Sequence, residues 1–189
     1  RDRRVVLIDQ FGRDVTGDRN TAYGVSSGQF VTGENIAAGT SAGESVNGSY
    51  NTAAGRSAGQ YVTGDNNIAL GTNAGSGTGS SSPLNVNNTI AIGNAARATV
   101  DGAMAVGMNA RATGTNAIAV GNGAVATGSV AVGDNARAAN GGAAFGDDAV
   151  ATGNASAALG KGAISTGANS AALGSGSNDG GRANTVSVG

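Results

Sequence analysis

The 189-residue chain has no cysteine, no histidine and no tryptophan, and its one proline is Pro83. Without histidine or cysteine there is no Ser-His-Asp triad, no thiol nucleophile and none of the usual zinc sites, so neither an enzyme nor a metal or cofactor is expected. The absence of thiols suits an oxidising exterior. Aromatic residues make up only 3% of the chain, too few to fill a conventional globular core. Lysine is reduced to Lys161 and the net charge is −1, which leaves no footprint for a polyanion, so no nucleic-acid partner is expected. The longest purely aliphatic run, Val5-Val6-Leu7-Ile8, is far shorter than a membrane helix. No signal peptide is visible at Arg1, so the sequence reads as a segment of a longer chain.

What the chain does have is glycine, 35 residues of it. The glycines do not recur every third residue, which excludes collagen. They recur in register instead. Thr-Ile-Ala-Ile ends at Gly93, Ala-Met-Ala-Val at Gly107, Ala-Ile-Ala-Val at Gly121 and Ser-Val-Ala-Val at Gly133. Gly-Ala-Ala-Phe follows at Gly146, and Ser-Ala-Ala-Leu at both Gly160 and Gly174. The steps are 14, 14, 12, 13, 14 and 14 residues. A period this short marks a solenoid and argues against the disorder that a Gly/Ser/Asn/Ala-rich composition would otherwise suggest.

The columns of the repeat assign each position a place. The residue before the glycine is large and apolar: Ile92, Val106, Val120, Val132, Phe145, Leu159 and Leu173. Two before it is always alanine, from Ala91 to Ala172. Side chains alternate faces along a strand, so this inner strand has one mainly large apolar face and one small one. Three and five residues beyond the glycine stand small residues such as Ala96 and Ala98, or Ala110 and Ala112. Between them lie Arg97, Arg111, Val125, Arg137, Val150 and Ile164, the variable column of an outer strand that is covered on one side and wet on the other. Each coil is an inner strand, a turn, an outer strand and a turn, giving an all-β parallel roll with coils of about 14–16 residues.

Residues 20–75 carry a longer version of the repeat, with glycines at Gly24, Gly39, Gly55 and Gly71 and entering words that begin at Asn20, Asn35, Asn51 and Asn67. Residues 76–87 interrupt the count and contain Pro83, so they are read as an inserted loop between the two repeat types, with a tolerated insertion favoured and a binding loop as the alternative. Residues 88–189 are the shorter repeats, and Asn184-Thr-Val-Ser-Val-Gly189 restarts an inner strand, which predicts that more protein follows. Residues 1–19 are read as an N-terminal cap, with a short strand in Val5–Ile8 and a repeat-like end at Phe11-Gly12.

A two-residue turn is too short to span the usual sheet separation of about 10 Å, so the roll is expected to be thin and filled with alanine. The large column from Ile92 to Leu173 then faces out of the roll and calls for cover by another chain. Three copies around an axis would cover it, and so would two.

Asn88-Thr-Ile-Ala-Ile-Gly93 and Asn116-Ala-Ile-Ala-Val-Gly121 closely resemble the Asn-Ser-Val-Ala-Ile-Gly word of YadA-like heads, found in trimeric autotransporter adhesins of Gram-negative bacteria. The Gly-x-x-Ala-Gly words of residues 39–75 are also similar to head repeats of that family. The resemblance covers residues 20–189. It implies a left-handed parallel β-roll assembled as a parallel homotrimer, a neck after Asn184–Gly189, and a stalk and C-terminal membrane anchor beyond this sequence. It also implies an extracellular position on the bacterial surface and, as partners, host matrix proteins such as collagen, fibronectin or laminin, or host cell receptors. The chain departs from the word: its serine survives only at Ser129, Ser156 and Ser170, and the asparagine before that serine only at Asn169.

Other readings fit less well. A hexapeptide-repeat acyltransferase has a longer coil and needs histidine. The threonines Thr99, Thr113, Thr127, Thr152 and Thr166 recur singly beside turn glycines, unlike an ice-binding ladder. Asp147-Asp148 falls in a turn, where aspartate commonly serves backbone geometry, ahead of a calcium site; Asp101 and Asp134 are scattered. The expected function is an adhesive head. The candidate adhesive face is Arg97, Arg111, Val125, Arg137, Val150 and Ile164, and the candidate trimer or core column is Ile92 to Leu173. The alternative is a non-catalytic trimeric shaft or spacer of the phage-fibre kind.

Overall fold

A computed structural model describes residues 5–6, 14–17 and 19–189. Phe11-Gly12 lies outside the described residues. Every regular element among those described is a β-strand, and the strands pair in parallel between coils. The fold is therefore the all-β parallel solenoid read from the repeat. It divides into two compact units, residues 1–102 and 103–189.

The first unit holds β1 (Val5–Val6), β2 (Thr21–Tyr23), β3 (Asn35–Ala38), β4 (Asn51–Ala54), β5 (Val62–Thr63), β6 (Ile68–Leu70), β7 (Leu84–Asn85), β8 (Ile90–Ile92) and β9 (Arg97–Ala98). The inner strands stack in the order β1-β2-β3-β4-β6-β8, and their alanines meet in one register, Ala22 on Ala37, Ala53, Ala69 and Ala91. The longer coils leave more interior to fill. A column of buried valines, Val31, Val46, Val62 and Val86, fills it, with Leu84 packed alongside.

Beside that column runs a ladder of buried amides. Asn51 Nδ2 donates to Asn35 Oδ1 at 2.9 Å and to the Gly64 carbonyl at 2.9 Å, while Asn51 Oδ1 accepts from the Asn67 backbone at 3.0 Å and from Asn67 Nδ2 at 3.0 Å. Asn35 and Asn67 repeat the pattern, and Thr89 ends it by donating its hydroxyl to Asn67 Oδ1 at 2.7 Å. Each amide satisfies the backbone of the next coil, so polar groups enter the interior without an orphaned donor or acceptor.

Within 76–87, the chain turns back at Gly79–Ser82, where Ser82 N donates to the Gly79 carbonyl at 3.0 Å. Pro83 follows this turn. Leu84 and Asn85 then pair with Val62 and Thr63, which brings Val86 into the valine column.

In the second unit the inner strands are β10 (Met104–Val106), β12 (Ile118–Val120), β14 (Val130–Val132), β16 (Ala143–Phe145), β18 (Ala157–Leu159), β20 (Ala171–Leu173) and β21 (Val186–Val188). The outer strands are β11 (Arg111–Ala112), β13 (Val125–Ala126), β15 (Arg137–Ala138), β17 (Val150–Ala151) and β19 (Ile164–Ser165). The interior is alanine: Ala105, Ala119, Ala131, Ala144, Ala158 and Ala172 from the inner strands meet Ala112, Ala126, Ala138 and Ala151 from the outer ones, all at 0–2% exposure. Methyl groups on both sides allow the two sheets to lie close, which is the thin roll that the short turn demands.

Candidate functional site

The roll presents two faces that can meet a partner. The first is carried by the outer strands. Arg97 lies on β9 of the first unit and is exposed. In the second unit Arg111, Val125, Arg137, Val150 and Ile164 form one in-register column. Arg111 and Arg137 are exposed, whereas Val125, Val150 and Ile164 are half-buried. The inward neighbours of this column are alanine or serine, so alternation along each short strand leaves the variable residue as the one that reaches solvent. Arg111 and Arg137 have no ion-pair partner among the described residues. They stand two strand spacings apart, about 9.6 Å, where screening in water makes their repulsion small. Asp101 is not engaged by Arg97; its Oδ1 accepts from the Asn87 backbone at 2.8 Å.

The second face belongs to the inner strands. Ile92 in the first unit, and Val106, Val120, Val132 and Leu173 in the second, are half-buried; Phe145 and Leu159 are 42% and 40% exposed. The column three before the glycine lies on the same side, with Ile90 in the first unit and Met104, Ile118 and Val130 in the second. Earlier in the first unit it leaves Ile36 51% exposed. Neither column contains a charge between residues 21 and 188.

The acidic turns do little that resembles ligand chemistry. Asp147 Oδ1 caps the Asp134 backbone at 3.0 Å, Asp134 Oδ1 accepts from Asn122 Nδ2 at 2.8 Å, and Asp134 Oδ2 accepts from Asn135 Nδ2 at 3.0 Å. Among the described residues no group of three or more Asp, Glu, His or Cys is placed to hold a metal ion.

One carboxylate went unnoticed in the sequence. Asp179 is fully buried. Burial works against its charge, but donation from the Ser170 hydroxyl and from the Gly167, Gly181 and Thr166 amides outweighs that penalty and holds the carboxyl well below the usual aspartate range. The available signal was its column: it stands five residues after Gly174, where earlier coils place alanine and then Ser165.

A family model described as the YadA head domain repeat, two copies, matches residues 87–110, 112–136 and 151–177. Among solved structures, the chain is similar to the collagen-binding domain of the Yersinia adhesin YadA, with 26% identity, 67% of each chain covered and a TM-score of 0.56. No curated protein matches. The family-model matches fall on the glycine-ended alanine strands, so these segments carry YadA head repeats, and the chain's fold is similar to that of a YadA head.

Proposed function

We propose that the chain is the adhesive head of a trimeric autotransporter adhesin, displayed outside an outer membrane to which the full-length protein is anchored. Its ligand is host extracellular matrix, collagen before fibronectin or laminin, and it binds through the repeated outer strands. The observation that carries this reading is the likeness to a collagen-binding head. The choice of face follows from the columns: Arg97 in the first unit, and Arg111 and Arg137 in the second, are the exposed cationic positions of the outer strands. All three are exposed on short outer strands, so binding is weak per coil and gains strength by repetition within a head and among heads on one cell.

The inner face is the trimer surface in this reading. In the second unit an uncharged apolar column leaves Phe145 and Leu159 exposed, and in the first unit Ile36 is exposed; apolar columns of this kind call for cover. Two further copies in parallel cover them, so every head presents three sets of outer strands.

A solid-phase assay on immobilised collagen, fibronectin and laminin, comparing the intact head with an Arg97, Arg111, Arg137→Ser variant, tests the adhesive face. The expected result is saturable collagen binding that the variant loses by about tenfold or more through avidity. Binding unchanged in that variant but lost on deleting residues 76–83 would move the site to the excursion, and no binding at all would leave the segment a spacer. Sedimentation equilibrium should give a trimer; a stable, well-folded monomer removes the assembly.

A further inference from the structure

The interior of the second unit changes character in one coil. Three residues beyond the glycine, the buried alanines Ala110, Ala124, Ala136, Ala149 and Ala163 give way to Ser177. Five beyond it, Ala112, Ala126, Ala138 and Ala151 give way to Ser165 and then Asp179. Two before it, Ala172 is followed by Ser187. The coil from Gly174 to Gly189 thus faces inward with two hydroxyls and a carboxylate where, Ser165 apart, the earlier coils of the second unit have methyl groups.

The carboxylate is fully engaged, and mostly by the coil before its own. Asp179 Oδ2 accepts from the backbone of Thr166 at 2.9 Å, the backbone of Gly167 at 2.9 Å, Ser165 Oγ at 3.1 Å and Ser170 Oγ. Oδ1 accepts from Thr166 Oγ1 at 3.4 Å and from its own coil at Gly181 N, 2.8 Å. The Ser165 and Ser170 hydroxyl oxygens lie 2.7 Å apart. The preceding coil brings no titratable group to this cluster; Arg182 alone approaches, and its Nε donates to the Asp179 carbonyl rather than to the carboxylate. A buried charge without a cation is tolerable only because neutral donors converge on it.

We infer that Asp179 is a latch: its carboxylate fastens the coil Gly174–Gly189 to the coil before it, and that coil opens as one piece when the charge is removed. Five of the six donors lie between Ser165 and Ser170, so withdrawing the carboxylate orphans the Thr166 and Gly167 amides at the junction of two coils rather than at one point within a coil. Its lowered proton affinity fixes the direction with pH. The latch is whole above the ordinary aspartate value of about 3.9 and is lost only as pH falls through the lower value of the folded state, so it outlasts ordinary carboxylate contacts in acid.

Hydrogen-exchange mass spectrometry on the full chain, wild type against Asp179→Asn and Asp179→Ala, tests this. Asparagine keeps the volume and one acceptor oxygen; alanine restores the residue type of the earlier coils. Both variants should exchange about tenfold or more faster in peptides covering 163–189, with peptides covering 103–160 unchanged. Replacing a buried charge by an apolar group is often neutral or stabilising. If Asp179→Ala matches wild type over 163–189, the aspartate is merely tolerated and the inference falls. Loosening in Asp179→Ala but not in Asp179→Asn would trace the effect to volume and overturn the role of charge. Pepsin digestion at about pH 3, where the lowered proton affinity keeps the wild-type carboxylate charged, should show new cleavage confined to 174–189 in Asp179→Asn and none in wild type; cleavage spread across the unit would overturn opening as one piece.

Discussion

At the scale of single residues, the repeat is written in backbone angles. Gly121 has φ +134°, and a Cβ there would collide with the carbonyl of Gly133 in the next coil, so two constraints exclude every other residue. Gly162 differs: its φ is +64° with nothing within 4 Å of an added Cβ. Equivalent turns place Asn109 at φ 57° and Asn135 at φ 54° in that position, because asparagine tolerates the left-handed region. Gly121→Ala should therefore cost about 3 kcal/mol or more per chain, from strain and collision together. Gly162→Asn should stay within about 0.5 kcal/mol of wild type. Thermal melts followed by circular dichroism compare them, and equal losses would show that the two glycines serve the same end. The asparagine that opens the family word has the same cause. Asn88, Asn116, Asn169 and Asn184 all have φ between 52° and 57°. The spelling was readable from the sequence; the reason for it lay in a dihedral angle that spacing does not report.

At the scale of strands, each column holds its composition for the face it occupies. Ala119 is fully buried and registers with Ala105 and Ala131, whereas Arg111 beside it in the repeat is exposed. Ala119→Leu should overpack the roll by about 1–3 kcal/mol in each chain, while Arg111→Leu should change stability by less than about 0.5 kcal/mol. Chemical denaturation of the two variants checks this, and similar midpoints would mean the columns are misassigned. The inner strand was legible because alanine stands two before every repeat glycine from Gly93 to Gly174, with a larger apolar residue between them. The first unit was less so. Asn35, Asn51 and Asn67 look like turn residues in a sequence, yet they are buried and bonded from coil to coil. Val86 was hidden by the irregular count around Pro83, since 22 residues separate Gly71 from Gly93. Asp179 was hidden because a column is easiest to follow where it does not change.

At the scale of the molecule, each coil touches mainly the coils before and after it, and stability is a sum of neighbour contacts rather than the property of one centre. The hydrogen bonds that join coils of the second unit all run along the stack, as in Gly121 N to the Val106 carbonyl and Gly133 N to the Val120 carbonyl, each 2.8 Å. That direction has a mechanical consequence. Tension applied through the chain loads the bonds of one terminal coil at a time, as thread leaves a spool, instead of shearing the whole sheet at once. A coil such as Gly107–Gly121 holds 14 residues and would release about 45 Å of extended chain when it peels. Single-molecule force measurements on the second unit should show a train of small, nearly equal steps of that length, and one large rupture would contradict it. If the head is anchored and its outer strands hold a ligand, as proposed above, it would yield under a pull by paying out length and so limit the load that reaches that ligand.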